Sequence, residues 1–193
     1  ERAGNLINVP MKIFQGALDP LTKAPDTRAL FRDLINAGVN VEYTEYPNVR
    51  HNIWDFAYKD GAIFDWFAKW KRDPQPAHVH FVTREYKYRK AYWATIDRFP
   101  SGSAVSIDAK LAAKSSVTVD TTAIAFTLEL KRAGPVTVTI GKTARTLRAS
   151  APLSFTRTTT GWMAKYSTFA PGEKQPGAEG PISAAVGARH RRA

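Results

Sequence analysis

Cysteine is absent from all 193 residues, which excludes disulfides, thiolate metal sites and a cysteine nucleophile and leaves the redox setting unmarked. Long apolar runs are missing as well, so no stretch has the length needed to span a bilayer, and no signal-peptide pattern is visible. The chain starts at Glu1, just ahead of a strand signal, and is expected to be a fragment or processed product; a missing signal then excludes nothing. Phosphate-cradling glycine loops of the Walker or dinucleotide type do not occur, and neither does a repeat of fixed period. No cofactor is expected. What remains, 44% hydrophobic and 23% charged residues, is ordinary globular material, enough for one domain or two small ones.

Acidic residues are scarce in one half only. Residues 1–75 carry ten Lys and Arg against ten Asp and Glu, whereas residues 76–193 carry 18 against 7, so the whole net charge of +11 belongs to the second region. Two regions of different charge character predict two domains.

The most informative stretch is residues 11–51. Met11-Lys12-Ile13-Phe14-Gln15 reads as a short strand that stops at Gly16-Ala17-Leu18-Asp19-Pro20, leaving Asp19 on the turn just beyond the strand end. Pro25-Asp26-Thr27 offers helix-start chemistry, and Ala29, Leu30, Phe31, Leu34 and Ile35 follow at helical spacing until Gly38. Val39, Val41 and Tyr43 then alternate with Asn40, Glu42 and Thr44 in a second strand, after which Pro47 opens a turn carrying His51. One helix and one strand separate the two turns, enough for a crossover that returns the chain to the same edge of a parallel sheet. A carboxylate and an imidazole so placed suit nucleophilic acyl transfer, in which the acid fixes the imidazole tautomer and the imidazole takes a proton from a serine. Taken one at a time, Asp19 is equally a turn-former and His51 a surface or capping histidine.

Residues 9–20, 34–39 and 46–52 together resemble the C-terminal part of the catalytic domain in the prolyl oligopeptidase family. The nearest likeness is to bacterial esterases or peptidases in which the histidine turn continues into Asn-x-Trp-Asp, here Asn52-Ile53-Trp54-Asp55. The resemblance covers residues 5–72. It implies an α/β fold, Asp19 as the triad acid, His51 as the triad base, a peptide or ester substrate, and a bacterial protein of secreted or periplasmic setting. One departure is Gln15, where many relatives carry a histidine before the glycine; it alters the surroundings of the acid without removing it. Trp54 is a candidate for the border of the substrate pocket, the alternative being plain burial of a large aromatic.

The larger departure is an absent nucleophile. In this fold Gly-x-Ser-x-Gly precedes the acid and the base, and no such elbow occurs in these residues. Ser101-Gly102-Ser103 follows the base and lacks the flanking glycines. The expectation is therefore a C-terminal fragment of a serine hydrolase, inactive by itself, whose principal partner is the upstream part of the same hydrolase. A truncated sheet exposes an apolar edge, so poor solubility is expected too.

Ile63, Phe64, Phe67 and Trp70 form an apolar stripe read as core packing of a helix over residues 61–70. Prolines at 74 and 76 then end the first region, giving domains at residues 1–73 and 74–169 and a loop with a disordered basic tail at 170–193. Beyond Pro76 the period becomes two, with strands expected at 78–83, 90–96, 104–109, 115–119, 123–130, 136–140, 143–148 and 152–158, and a hairpin joining 117–122 to 125–130. Such spacing predicts an all-β, antiparallel, sandwich-like domain. His78 and His80 share a strand face, but a zinc site needs further ligands and none is at hand, so no metal is expected. The basic and aromatic run 84–93 reads as a soluble hairpin edge, and nucleic acid is not an expected partner. The rival reading for the whole chain is a noncatalytic binding protein whose basic β domain holds an acidic polymer, glycan or nucleic acid.

Overall fold

The computed structural model of the chain describes residues 2–100, 102–112, 115–132 and 134–165. It is mostly β, with 40% strand and 21% helix spread over several largely antiparallel sheets. The chain divides into two compact units, Glu1–Val82 and Thr83–Ala193. The division falls beyond the proline segment at residues 71–76, inside a strand. No helix among the described residues is long and apolar enough to cross a membrane. The tail expected at 170–193 lies outside the described residues.

In the first unit, β1 (Met11–Gly16) and β2 (Val41–Tyr46) pair in parallel, Met11 opposite Val41 and Gly16 opposite Tyr46, with α1 (Ala24–Asn36) between them in sequence. Pro25 lies in the first turn of α1, where its missing amide costs nothing. The helix stops because Gly38 takes a left-handed conformation, φ +80°, and the Gly38 and Val39 amides donate to the carbonyls of Ile35 and Leu34. That stop folds Val39 back onto Leu34, and both join Val41 in a core lined by Met11, Ile13 and Phe31. Burying each of these aliphatic side chains contributes about 1.5–3 kcal/mol. Tyr43 stacks on Phe31 across the same face, with ring centroids 5.2 Å apart. Leu30 and Ile35, which share the helical spacing, instead stay half exposed.

The opposite face of the strand pair meets α3 (Ala62–Ala68), which follows the single-turn α2 (Trp54–Ala57). Trp66 is buried there, its indole Nε1 donating to Glu42 at 2.7 Å, while Lys12 pairs with Glu42 at 2.8 Å and lies over the Trp66 ring. This corrects the expected stripe. Ile63 and Trp66 are the buried face, whereas Phe64, Phe67 and Trp70 are exposed, because the Lys12–Glu42 pair draws the indole inward by its one donor.

The next strand, β3 (His78–Thr83), is held by the N-terminal turn of the same unit. Asn5 exchanges two hydrogen bonds with the backbone of Val82, Asn8 donates to the carbonyl of His78, and the ring of His80 lies so close over Gly4 that a Cβ there would come within 2.5 Å of it.

In the second unit the strands are β4 (Lys90–Ala91), β5 (Ala94–Arg98), β6 (Val105–Ala112), β7 (Ser116–Thr121), β8 (Ala125–Leu128), β9 (Pro135–Ile140), β10 (Thr143–Arg148), β11 (Leu153–Thr158) and β12 (Gly161–Met163). One sheet has the order β10-β9-β7-β6; the other has the order β12-β11-β8-β5-β4. Burial alternates along β6 and β9, the period-two signature of a sheet with one covered face. Two expectations are corrected. The strand at 90–96 is two strands folded at Tyr92, which takes a positive φ of 52°, so that Ala91 faces Ala94. The hairpin joining 117–122 to 125–130 does not exist, since β7 pairs with β6 and β9 while β8 pairs with β5 and β11. The Thr121 and Thr122 hydroxyls bond the backbone of Ser106 and hold the chain to β6, and the Ile124 amide then turns to the carbonyl of Arg98 at the end of β5.

Candidate active site

Parallel pairing puts the C-terminal ends of β1 and β2 at one edge, and each strand runs directly into a turn bearing a chemically useful group. That edge is where ligands bind in open α/β sheets. After β1 the chain passes through Gly16 into a tight turn, with the Asp19 amide donating to the Gly16 carbonyl at 3.2 Å. After β2 the chain comes back across it. The Ala17 amide donates to the carbonyl of Tyr46 and the Leu18 amide to that of Val49, both at 2.9 Å, so the Asp19 turn is bonded to the His51 turn along its backbone.

Gly16 permits that approach. A Cβ built on it would lie 2.1 Å from the carbonyl oxygen of Arg50 and 2.5 Å from that of Val49, distances no side-chain carbon tolerates. Its role is close passage of two backbones.

The two sequence-predicted groups meet. Asp19 Oδ2 stands 2.9 Å from His51 Nδ1. The other oxygen, Oδ1, accepts the amides of Leu21 at 2.8 Å and Thr22 at 3.0 Å, an Asx-type turn that fixes the plane of the carboxylate. Only 6% of the Asp19 side chain is exposed, against 53% of His51. Desolvation pushes the Asp19 carboxyl upward, but the hydrogen bonds from His51, Leu21 and Thr22 outweigh it and hold the group below the usual carboxylate range. An ionised carboxylate on Nδ1 selects the tautomer that carries its proton there and leaves the Nε2 lone pair as the basic site.

Trp54 stands outside this hydrogen-bonded group. It opens α2, three residues past His51, with its amide 3.4 Å from the Asn52 side-chain oxygen and the residue 61% exposed. Gln15, read from sequence only as a departure, is almost fully buried directly beneath the acid turn; it donates from Nε2 to the carbonyls of Gly16 and Thr22, both at 2.8 Å, and accepts the Thr27 hydroxyl on Oε1 at 2.7 Å. Its register partner on β2, Glu45, takes the next residue of α1, Arg28, in a two-pronged ion pair at 2.8 and 2.6 Å and also accepts the Tyr43 hydroxyl. Arg28 first and Tyr43 second hold the Glu45 carboxyl down at about 2, while burial and then the Glu45 bond push Tyr43 up to about 12. Consecutive helix residues thus clamp the two strands at the edge that carries Asp19 and His51. The sequence signal for this was a polar residue at the last inward position of each strand.

No family model matches the chain, and neither curated protein sequences nor solved structures give a match to it.

Proposed function

We propose that residues 1–73 are the C-terminal part of an α/β-hydrolase catalytic domain of the prolyl oligopeptidase type, in which Asp19 and His51 are the acid and base of a Ser-His-Asp triad acting on a peptide or ester. The observation that carries this reading is the 2.9 Å contact between Asp19 Oδ2 and His51 Nδ1 at the C-terminal edge of two parallel strands, acid before base in the chain. Helices on both faces of the strand pair support it, since a parallel sheet covered on both sides is the architecture such enzymes use.

In this reading His51 Nε2 takes the proton of a serine hydroxyl as the serine oxygen attacks the substrate carbonyl, and returns it to the leaving amine or alcohol. Asp19, already ionised, orients the ring and stabilises the imidazolium. Water then attacks the acyl-enzyme with the same proton traffic, regenerating the serine. The serine and the oxyanion donors come from polypeptide outside these 193 residues, the upstream part of the same hydrolase, and the chain by itself is inactive. Trp54, open to solvent beside the base, borders the acyl or leaving-group pocket. The two sheets of the second unit are read as a sandwich appended to the catalytic domain.

The test is hydrolysis of chromogenic ester and peptide substrates by a polypeptide that joins these residues to a nucleophile elbow. His51→Ala lowers kcat by roughly 10⁴-fold or more, and the present chain shows no turnover. Turnover unaffected by His51→Ala removes the reading.

A second reading, that the basic unit binds an acidic polymer or glycan, draws on the exposed Lys142, Arg145 and Arg148 along and beside the edge strand β10. Retention of the chain on heparin at low salt, lost with Lys142, Arg145 and Arg148 changed to Gln, supports it; flow-through at low salt removes it.

A further inference from the structure

Asp19 does not hold its own position. Its Oδ1 atom is fixed by the amides of Leu21 and Thr22, and the turn that presents those amides is a loop without regular structure between β1 and α1. Something must keep Gly16 and Thr22, the two ends of that loop, at a constant separation, or the carboxylate drifts relative to His51. One side chain reaches both ends. Gln15 Nε2 donates one hydrogen to the carbonyl of Gly16 and the other to the carbonyl of Thr22, each at 2.8 Å, using both donors that a carboxamide has. The Thr27 hydroxyl donates to Oε1 at 2.7 Å, which fixes the orientation of the amide plane from the first turns of α1. With 4% of the residue exposed, these bonds are made out of water, where an unpaired amide hydrogen or carbonyl would be costly.

We propose that Gln15 is the positioning residue of the acid, acting on Asp19 through Thr22 and thereby setting the tautomer of His51. The linkage is continuous: Gln15 Nε2 to the Thr22 carbonyl, the Thr22 amide to Asp19 Oδ1, Asp19 Oδ2 to His51 Nδ1. It accounts for the spacing of the segment, since the strand must end inward-facing at Gln15, Gly16 must pass the base turn, and the loop must close at Thr22 within reach of the same amide. It also accounts for Thr27, which sits in helix-start sequence yet gives its hydroxyl to Gln15, while the residue before the helix, Lys23, makes no side-chain cap.

This inference rests on Asp19 and His51 being acid and base, but its test needs no nucleophile. The ¹⁵N resonances of the His51 ring in the 193-residue chain report which nitrogen carries the proton at neutral pH. The wild-type ring is in the Nδ1–H form, and Asp19→Asn shifts it toward Nε2–H. Gln15→Met, matched in volume but without donors, shifts it in the same direction and speeds exchange of the Leu21 and Thr22 amides on the order of tenfold or more, at an unchanged far-UV spectrum. Thr27→Val, which removes only the bond to Oε1, does the same to a smaller extent and serves where Gln15→Met lowers the folded yield. A folded Gln15→Met or Thr27→Val chain that keeps the wild-type tautomer and amide protection overturns the assignment of Gln15. A tautomer indifferent to Asp19→Asn overturns the acid and base reading itself, so the two failures are distinct.

Discussion

Gly16 and Arg50 meet backbone to backbone: the Arg50 carbonyl oxygen lies 2.1 Å from the point where any side chain on residue 16 would begin. The acid turn and the base turn are therefore held together by a residue that has nothing to add except room. Without that contact the hydrogen bond between Asp19 and His51 would depend on two exposed loops finding each other.

Gly16→Ala is accordingly expected to be far more damaging than its size suggests. The nearest neighbours of the new carbon are backbone atoms of Val49 and Arg50, which cannot rotate away, so overpacking costs on the order of 1–3 kcal/mol or more. Chemical denaturation measures the loss, and the His51 ring resonances shift because the base turn is pushed off the acid. An equally stable variant with unchanged His51 resonances would show that the two turns are not in contact.

Glu45 gives the edge clamp a pH signature. Its native carboxyl is held at about 2 by Arg28 and Tyr43, below its ordinary value of 4.5, so the native state binds the proton less readily than the unfolded one. The sign follows: the clamp's stabilisation is fully present above about 4.5 and is lost as pH falls toward about 2. The stability difference between wild type and Glu45→Gln should be largest near neutrality and vanish at the acid end of that window. A difference constant across pH would mean that the Arg28 pair is not formed.

The first unit leaves large apolar side chains in water, Leu21 at 73%, Phe64 at 62% and Phe67 at 56% exposed. Self-association of the chain at micromolar concentrations is expected in size-exclusion chromatography, and Phe64→Glu with Phe67→Glu reduces it. A monomer at all concentrations contradicts this expectation.

Much of this was legible in the residues, for identifiable reasons. Gly38 announced the end of α1 because only a left-handed residue makes that stop, and Asp19 and His51 were findable because order and strand-end placement are properties of the sequence itself. What was hidden depended on partners far along the chain. The expected stripe of Ile63, Phe64, Phe67 and Trp70 and the observed pair Ile63 and Trp66 both fit helical spacing; the choice between them was made by Glu42, which accepts a hydrogen bond from the Trp66 indole N–H. The strands β7 and β8 look like a hairpin from their spacing, and only the bonds of Thr121 and Thr122 to Ser106 send the chain to the other sheet. The use of Gln15 was invisible because its three partners lie before, within and beyond a loop whose path the sequence does not specify.

The central claim is that Asp19 and His51 act as one unit on a serine. Fluorophosphonate labelling of a polypeptide that joins these residues to the nucleophile elbow tests it most directly, because the reagent reacts only with a serine whose proton is being taken. The account predicts rapid labelling in the wild type, none with His51→Ala, and labelling slowed by roughly 10⁴-fold with Asp19→Asn. Equal labelling of all three, or no labelling of the wild type, would contradict it.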